Sequence, residues 1–170
     1  GEPVAAVIAE TAAQARDAAE LIRVDYEELP AVVDTVSALT AKPIHPETKS
    51  NVALDHELGD KAATDAAFAK ADHVVKCKAV ANRVTAATME PRAALAYYDQ
   101  AADRFTIHTT LQRAFAYRAQ ISDMIRVPES KIRVVATDIG GSFGMKSALF
   151  NETALTILAT KVTGRPVKWT

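Results

Sequence analysis

The spacing of apolar residues at the start of the chain predicts a β–α–β unit. The apolar run at residues 4–9 is typical of a strand, and residues 24–27 alternate as a second strand. Between them, Thr11 and Gln14 match the capping box that begins a helix. The small apolar residues that follow recur at helical spacing: Ala12, Ala15, Ala19 and Ile22. We therefore expect a short helix that lies close against a sheet.

The regular pattern weakens after Pro30. Residues 42–47 contain two prolines and show no period, which is typical of a connector. We place a domain boundary near Asn51, which divides the chain into residues 1–50 and residues 51–170.

A second short helix is expected beyond this boundary and up to Ala71. Either Asp60 or Thr64 can cap its start, and Phe68 is its largest apolar anchor. Residues 73–81 then resume an extended pattern rich in β-branched side chains, which predicts a strand.

The second half of the chain predicts a strand pair at residues 93–98 and 104–110, a helix at 112–126 and a third strand at 132–136. A glycine-rich loop comes next, and a final helix follows it.

Each of these two helices has an apolar stripe that predicts its buried face. In the first, the stripe contains Phe115, Ala119 and Met124. In the second, the spacing i, i+3, i+4, i+7 is given by Leu155, Leu158, Ala159 and Val162. Gly164 and Pro166 are expected to end the second helix.

Composition and charge restrict the class of protein. The chain has 170 residues, 49% hydrophobic and 24% charged, as expected for one ordinary domain or two small ones. Its 20 Lys and Arg against 21 Asp and Glu leave a net charge of −1, so no nucleic-acid or anionic-membrane partner is expected. No apolar run reaches the roughly 18 residues of a membrane span, which predicts a soluble protein. Because the chain begins without Met inside an apolar pattern, we expect it to be an excised piece.

The glycine-rich loop is the sharpest candidate for chemistry. Glycines between a strand and a helix let the backbone approach a ligand closely. The spacing of Gly140, Gly141 and Gly144 matches neither Gly-x-Gly-x-x-Gly nor the P-loop. Spacing alone therefore leaves two alternatives open, a ligand-binding loop and a plain strand-to-helix turn.

Other polar groups favour structural roles. The four histidines have no metal-ligand spacing, so no zinc site is predicted. Glu152 is a candidate general base, although a first-turn glutamate that interacts with the helix dipole is the preferred interpretation. The positive charges between residues 113 and 133 indicate a solvated face, with a phosphate-facing edge as the alternative. Cys77 is the single cysteine, which excludes an internal disulfide and an iron–sulfur cluster held by this chain alone.

Three segments carry a joint signal: Asn82-Arg83 with Met89-Glu90-Pro91-Arg92, Gln112 with Val127-Pro128-Glu129-Ser130-Lys131-Ile132-Arg133-Val134, and Asp138-Ile139-Gly140-Gly141-Ser142-Phe143-Gly144-Met145-Lys146. Together they resemble the large, molybdenum-binding subunit of the xanthine dehydrogenase, aldehyde oxidase and carbon monoxide dehydrogenase family. The third segment is similar to the family's Gly-Gly-Gly-Phe-Gly loop, and residues 1–39 resemble the end of its hammerhead domain. Residues 89–92 and 128–134 look closer to the carbon monoxide dehydrogenase-like branch.

The resemblance implies an α+β fold: the C-terminal part of a β/α hammerhead domain, followed by the first α+β portion of a molybdopterin-binding domain. It implies that the Gln112 amide hydrogen-bonds an oxygen ligand of molybdenum, which an amide can do without adding charge. It also implies that the backbone of the loop lies against the cofactor, with Phe143 next to the metal. The cofactor-binding residues of the loop are then Gly141, Ser142, Phe143 and Gly144.

Three positions depart from relatives. Ser142 and Met145 replace glycines of the family's loop, so we expect lower backbone freedom there. Ser147 stands where purine-hydroxylating relatives carry a carboxylate that contacts the substrate, which makes Ser147 a candidate substrate contact and argues against xanthine.

The resemblance further implies the activity of a whole enzyme. This is a molybdenum-dependent oxidoreductase that hydroxylates or oxidises a small substrate (an aldehyde, an N-heterocycle or carbon monoxide) with water as the oxygen source. Its cofactor is molybdopterin cytosine dinucleotide, and iron–sulfur clusters and FAD lie on partner subunits or domains. The base of relatives is a glutamate beyond Thr170, so no catalytic residue is expected within this chain.

By itself, the chain is expected to be inactive, to bind no cofactor and to be prone to self-association through exposed apolar surface. A cytoplasmic location is expected for the whole protein. Two other functions stay open: a cofactor-free interaction or assembly module that retains the fold, and a nucleotide-binding domain built on the glycine loop.

Overall fold

The computed structural model describes residues 2–82 and 84–170, so Gly1 and Arg83 lie outside the described residues. Helices alternate with the strands of one sheet, which confirms the predicted α+β class. The elements are α1 (Ala12–Glu20), α2 (Lys61–Ala69), β1 (Ala94–Asp99), β2 (Arg104–Thr109), α3 (Ala114–Ile125), β3 (Ile132–Val135), α4 (Asn151–Thr163) and β4 (Val167–Trp169). The chain forms two units: the larger contains the residues up to 22 together with 82–170, and the smaller contains residues 23–81.

The predicted helix at the start of the chain is confirmed, whereas three predicted strands are wrong. The Thr11 hydroxyl and the Gln14 side chain form the expected capping box of α1. Residues 4–9, 24–27 and 73–81 form no strand. A strand requires neighbours that pair with its N–H and C=O groups, and within the described chain these three segments lie outside the sheet.

The smaller unit contains α2 and the connector. Asp60 begins α2, because its side chain accepts a hydrogen bond from the Ala63 N–H. Phe68 is exposed, so its predicted role as an anchor is wrong. In the connector, the Asn51 side chain accepts a hydrogen bond from the Ile44 N–H at 2.8 Å. The position of the domain boundary near Asn51 stays a prediction.

The larger unit contains a sheet with strand order β3-β2-β1-β4. β1 and β2 form the predicted hairpin, with Ala94 opposite Thr109 and Asp99 opposite Arg104. The Asp99 carboxylate accepts a hydrogen bond from the Ala101 N–H, which stabilises the turn. β3 lies parallel to β2, so the chain must cross over between them, and α3 makes this crossover.

The core of the larger unit is built from the sheet together with α3 and α4. Its buried hydrophobic residues are Ala96, Phe105, Ile107, Leu111, Tyr117, Ile121, Ile132 and Ile157. The predicted buried face of α3 is wrong, because Tyr117 and Ile121 are buried while Phe115 is exposed. Apolar residues occur on both faces of this helix, so spacing could not decide which one meets the sheet.

The predicted stripe of α4 is also mostly wrong. Leu155, Leu158 and Val162 are exposed, and of the four predicted residues it is Ala159 that is buried. The buried face instead consists of Thr153, Ala154, Thr156, Ile157, Ala159 and Thr160. The hydroxyl groups of Thr156 and Thr160 donate to the helix carbonyls of Glu152 and Ile157, both at 2.7 Å. Because these hydroxyls are satisfied within the helix, threonine can be buried where its polarity predicts exposure.

Helix α4 ends as predicted. Gly164 adopts the left-handed conformation with φ +66°, and its N–H donates to the Thr160 carbonyl at 3.0 Å.

The contact between α3 and α4 gives a stability prediction. The buried Tyr117 hydroxyl donates to Thr153 Oγ1 at 3.2 Å. Tyr117→Phe removes this bond and should destabilise the protein by about 1–2 kcal/mol, seen as a lower unfolding temperature. Tyr26→Phe is the matched control, because Tyr26 is an exposed phenol and its change should leave the unfolding temperature the same. Equal effects of the two changes would contradict the assigned contact.

Candidate functional site

The glycine-rich loop lies between β3 and α4 and has an unusual backbone. Gly141, Phe143 and Gly144 have φ angles of +94°, +50° and +91°. Glycine adopts positive φ without steric cost, but Phe143 does not, so the turn depends on contacts around it. The replacements Ser142 and Met145 are absent from the positive-φ residues, so they occupy positions where the freedom of glycine is not required.

The loop folds back on itself through short-range hydrogen bonds. Ser142 is buried and accepts twice: its carbonyl from the Met145 N–H at 2.9 Å and its hydroxyl from the Lys146 N–H at 3.0 Å. The Ser147 hydroxyl donates to the Gly144 carbonyl at 2.7 Å. The turn around residues 142–147 is therefore defined by its own atoms.

Gln112 lies beside this loop, just before α3. Its backbone N–H donates to the Lys146 carbonyl at 3.0 Å, while the residue as a whole is exposed. The structure thus places the backbone of Gln112 against the loop that the sequence analysis assigned to the same site. Ser147 is half-buried at the end of the same turn, and its hydroxyl hydrogen is already used within the loop.

The outer side of the turn is open. The Phe143 side chain is 80% exposed. A Cβ atom built on Gly144 would meet no other atom within 4 Å, whereas one on Gly140 would lie 2.5 Å from the Cβ of Glu90. The main chain at Gly144 is therefore accessible to a ligand, whereas the main chain at Gly140 packs closely against Glu90.

Sequence reasoning missed two residues that hold the loop, Glu90 and Lys146. Lys146 is 1% exposed, and its Nζ lies 2.7 Å from Glu90 Oε2. The same carboxylate oxygen accepts a hydrogen bond from the Gly140 N–H at 2.8 Å. The sequence offered two hints, a glutamate in the segment at residues 89–92 and a lysine two residues after Gly144. Their spacing along the chain gave no reason to pair them.

Glu152 is paired with a cation. An Arg92 nitrogen lies 2.6 Å from its carboxylate, and the Arg92 guanidinium stacks over the Phe150 ring at 3.7 Å. The two groups are not aligned as a hydrogen bond, so among the described residues Glu152 Oε1 and one Arg92 nitrogen are buried atoms without a hydrogen-bond partner. Glu152 occupies the first turn of α4, as the preferred interpretation predicts.

The positive charges around α3 lie on the surface. Arg118 pairs with Glu129 at 2.8 Å, and both side chains are more than one-third exposed. Such pairs contribute little to stability, in agreement with a solvated face.

No protein-ligated metal site is found in residues 2–82 and 84–170. They contain no group of three or more His, Cys, Asp or Glu side chains arranged to hold an ion. Across the same residues, none of the helices has the length and apolar character that would let it cross a membrane.

Two family models match this chain. The model of the molybdopterin cofactor-binding domain matches residues 44–170, and that of the aldehyde oxidase and xanthine dehydrogenase a/b hammerhead domain matches residues 1–30. The larger match covers more than half of the chain. This chain therefore contains a molybdopterin cofactor-binding domain preceded by part of a hammerhead domain, which confirms the predicted fold.

Curated relatives of this chain include subunits of two dehydrogenases. The gamma subunit of the 6-hydroxypseudooxynicotine dehydrogenase complex of Paenarthrobacter nicotinovorans is 39% identical over 100% of this chain and 21% of its own length. The carbon monoxide dehydrogenase large chain of Hydrogenophaga pseudoflava is 36% identical over 99% of this chain and 23% of its own length. The chain thus spans about a fifth of the length of the curated relatives it matches.

Solved structures are also similar to this chain in their three-dimensional fold. Quinoline 2-oxidoreductase from Pseudomonas putida 86 matches with a TM-score of 0.77 and 34% identity, over 95% of this chain and 20% of that chain. The Cu,Mo carbon monoxide dehydrogenase matches with a TM-score of 0.83 and 35% identity, over 94% of this chain and 22% of that chain. The chain belongs to the molybdopterin cofactor-binding domain family, and the proteins that it is similar to include the large chain of a carbon monoxide dehydrogenase, as the resemblance predicted.

The Glu90 carboxylate makes stability depend on pH in the acid range. Hydrogen bonds from the Lys146 ammonium group and the Gly140 N–H hold the pKa of Glu90 below its ordinary value of 4.5. Because the folded-state pKa is lowered, the stabilisation is fully present above pH 4.5 and is lost as the pH falls through the lowered pKa. We expect the unfolding temperature of the wild type to fall more steeply below pH 4.5 than that of Glu90→Gln.

A second acidic variant provides the control for this pH profile. Glu129→Gln removes the carboxylate of the exposed Arg118 pair and should keep the steep fall of the wild type. Parallel profiles of the wild type and Glu90→Gln would show that the Glu90 contact does not form in solution.

Proposed function

We propose that the intact protein is the molybdenum-binding catalytic subunit of an oxidoreductase. Its substrate is a small molecule, an aldehyde, an N-heterocycle or carbon monoxide, and water is the oxygen source. The observation that carries this proposal is the meeting of Gln112 with an open glycine turn, in a chain that matches the molybdopterin cofactor-binding domain over residues 44–170.

The residues of the turn fit the molybdenum cofactor. The main chain at Gly144 is open, and Phe143 is exposed beside it. The Gln112 backbone is fixed by the Lys146 carbonyl. Among the described residues its side-chain amide makes no hydrogen bond, so it can donate to an oxygen ligand of the metal. Gly141, Ser142, Phe143 and Gly144 would then contact the cofactor through their backbone. When bound, the group supplies two-electron oxidation of a substrate carbon.

Ser147 bears on the choice of substrate. A serine hydroxyl is a weaker acceptor than a carboxylate, and here its hydrogen is used by the Gly144 carbonyl. We therefore favour aldehydes, carbon monoxide and N-heterocycles other than xanthine. Relatives of this chain include a nicotine 6-hydroxylase large subunit and an aldehyde oxidoreductase, which supports this range, and also a probable xanthine dehydrogenase subunit.

The finer assignments complete the proposal. The cofactor is the cytosine dinucleotide form of molybdopterin, and electrons leave through iron–sulfur clusters and FAD on partner subunits. This chain contributes a part of the cofactor contacts and no catalytic base. By itself it is therefore inactive, and these contacts alone do not hold the cofactor. Its self-association and the cytoplasmic location of the intact protein stay predictions.

The Gln112 amide gives the first test of function. Gln112→Ala keeps the backbone bond to Lys146 and removes the side-chain donor alone. We expect turnover of the intact enzyme to fall about 10–100-fold with molybdenum content largely intact, since groups that orient a metal's ligands have effects of this size. Gln100→Ala, at an exposed turn position, should change neither quantity. Unchanged turnover of Gln112→Ala would remove the assigned role.

The main chain at Gly144 gives the second test. Valine there would face both the strain of φ +91° and the loss of open space on the cofactor side. We expect Gly144→Val to prevent molybdenum loading, measured by metal analysis of the purified intact protein.

Gly59 provides a control matched for strain. It has φ +111° and no atom within 4 Å of a built Cβ, and it lies in the smaller unit. Gly59→Val should retain molybdenum. Full loading of Gly144→Val would show that close approach at this turn is not needed, and absence of molybdenum from the wild type would favour the cofactor-free module.

A further inference from the structure

One carboxylate joins the two ends of the glycine loop. Glu90 Oε2 accepts from the Lys146 ammonium group at 2.7 Å and from the Gly140 N–H at 2.8 Å. In return, the Glu90 N–H donates to the Gly140 carbonyl at 3.2 Å. Three hydrogen bonds thus attach residues 140 and 146 to the segment that precedes β1.

The contact of Glu90 with Lys146 and Gly140 requires the burial of a charge and a close steric fit. The Lys146 side chain is fully buried, while that of Glu90 is 34% exposed. A buried ammonium group requires a close partner, because its loss of hydration is otherwise uncompensated. The contact is also sterically tight, since a methyl group on Gly140 would lie 2.5 Å from the Glu90 Cβ. Small displacements of the loop are therefore opposed by both charge and packing.

The same attachment reaches Gln112. The Lys146 carbonyl accepts the Gln112 N–H at 3.0 Å, so the residue whose ammonium group is held by Glu90 also fixes the backbone of Gln112. The ion pair between Glu90 and Lys146 therefore positions both the open turn and the backbone of Gln112.

We propose that Glu90 and Lys146 are positioning residues that hold the glycine turn and Gln112 in the cofactor-accepting arrangement before the cofactor binds. This inference rests on the proposed function. A loop already ordered in the free protein avoids the entropic cost of ordering on binding, so breaking the pair should weaken loading.

The decisive experiment separates positioning from general stability. In the intact protein, Glu90→Gln leaves a buried charge without its partner and should lower the unfolding temperature strongly. The double variant Glu90→Gln, Lys146→Met replaces that charge with an unbranched apolar side chain, so it should recover most of the unfolding temperature. If the pair positions the loop, the double variant still loads about tenfold less molybdenum than the wild type.

Amide hydrogen exchange gives a readout that is independent of activity. In protein produced by a host that cannot make the pterin, exchange of residues 138–147 should be about tenfold faster in the double variant than in the wild type, as for a loop released from its attachment. Exchange of α4 should remain the same. Glu129→Gln, which breaks the exposed pair with Arg118, should change neither loading nor loop exchange.

Two results would overturn the inference: a double variant that loads molybdenum like the wild type, or one whose loop exchange is unaltered. Gly140→Ala is a second variant that displaces the loop without removing a charge, and it should also load less molybdenum and exchange faster in residues 138–147. A Gly140→Ala protein that behaves like the wild type in both measurements would count equally against the inference. Absence of molybdenum from the wild type would instead contradict the proposed function, and the exchange comparison would still decide the role of the pair.

Discussion

The arrangement of the site depends on the ion pair between Glu90 and the buried Lys146. A buried pair is a poor source of net stability, because the cost of removing two charges from water offsets most of their attraction. The pair instead specifies a geometry, because a buried ammonium group is tolerated only where a carboxylate lies at hydrogen-bond distance from it. The glycine turn, whose internal shape is defined by its own hydrogen bonds, can therefore keep one position relative to Glu90.

The site is built from main chain more than from side chains. Ser142 occupies a position in the loop that needs no glycine, and its hydroxyl accepts the Lys146 N–H, so this replacement adds a bond without straining the turn. The expected loss of backbone freedom at Ser142 thus has no structural cost. Gly141 and Gly144, which adopt positive φ, are the positions where the glycine is kept. The open backbone is consequently preserved although the motif departs from that of relatives.

Sequence reasoning worked where structure is local and failed where it depends on distant partners. The β1–β2 hairpin, the cap of α1 and the end of α4 at Gly164 follow from neighbouring residues, and all three are present. The buried face of α4 was predicted from its leucines, but threonines whose hydroxyls bond within the helix occupy it instead. The pairing of Glu90 with Lys146 joins residues 56 positions apart, and no periodicity encodes such a contact.

The segment at residues 90–92 acts on both ends of the connection between β3 and α4. Glu90 holds the start of the loop at Gly140, and Arg92 lies against Phe150 and Glu152, where α4 begins. The first contact fixes the turn and the second fixes the helix that follows it, so the intervening backbone has little freedom to shift. Within residues 89–92, the charges of Glu90 and Arg92 are thereby explained by the placement of the loop.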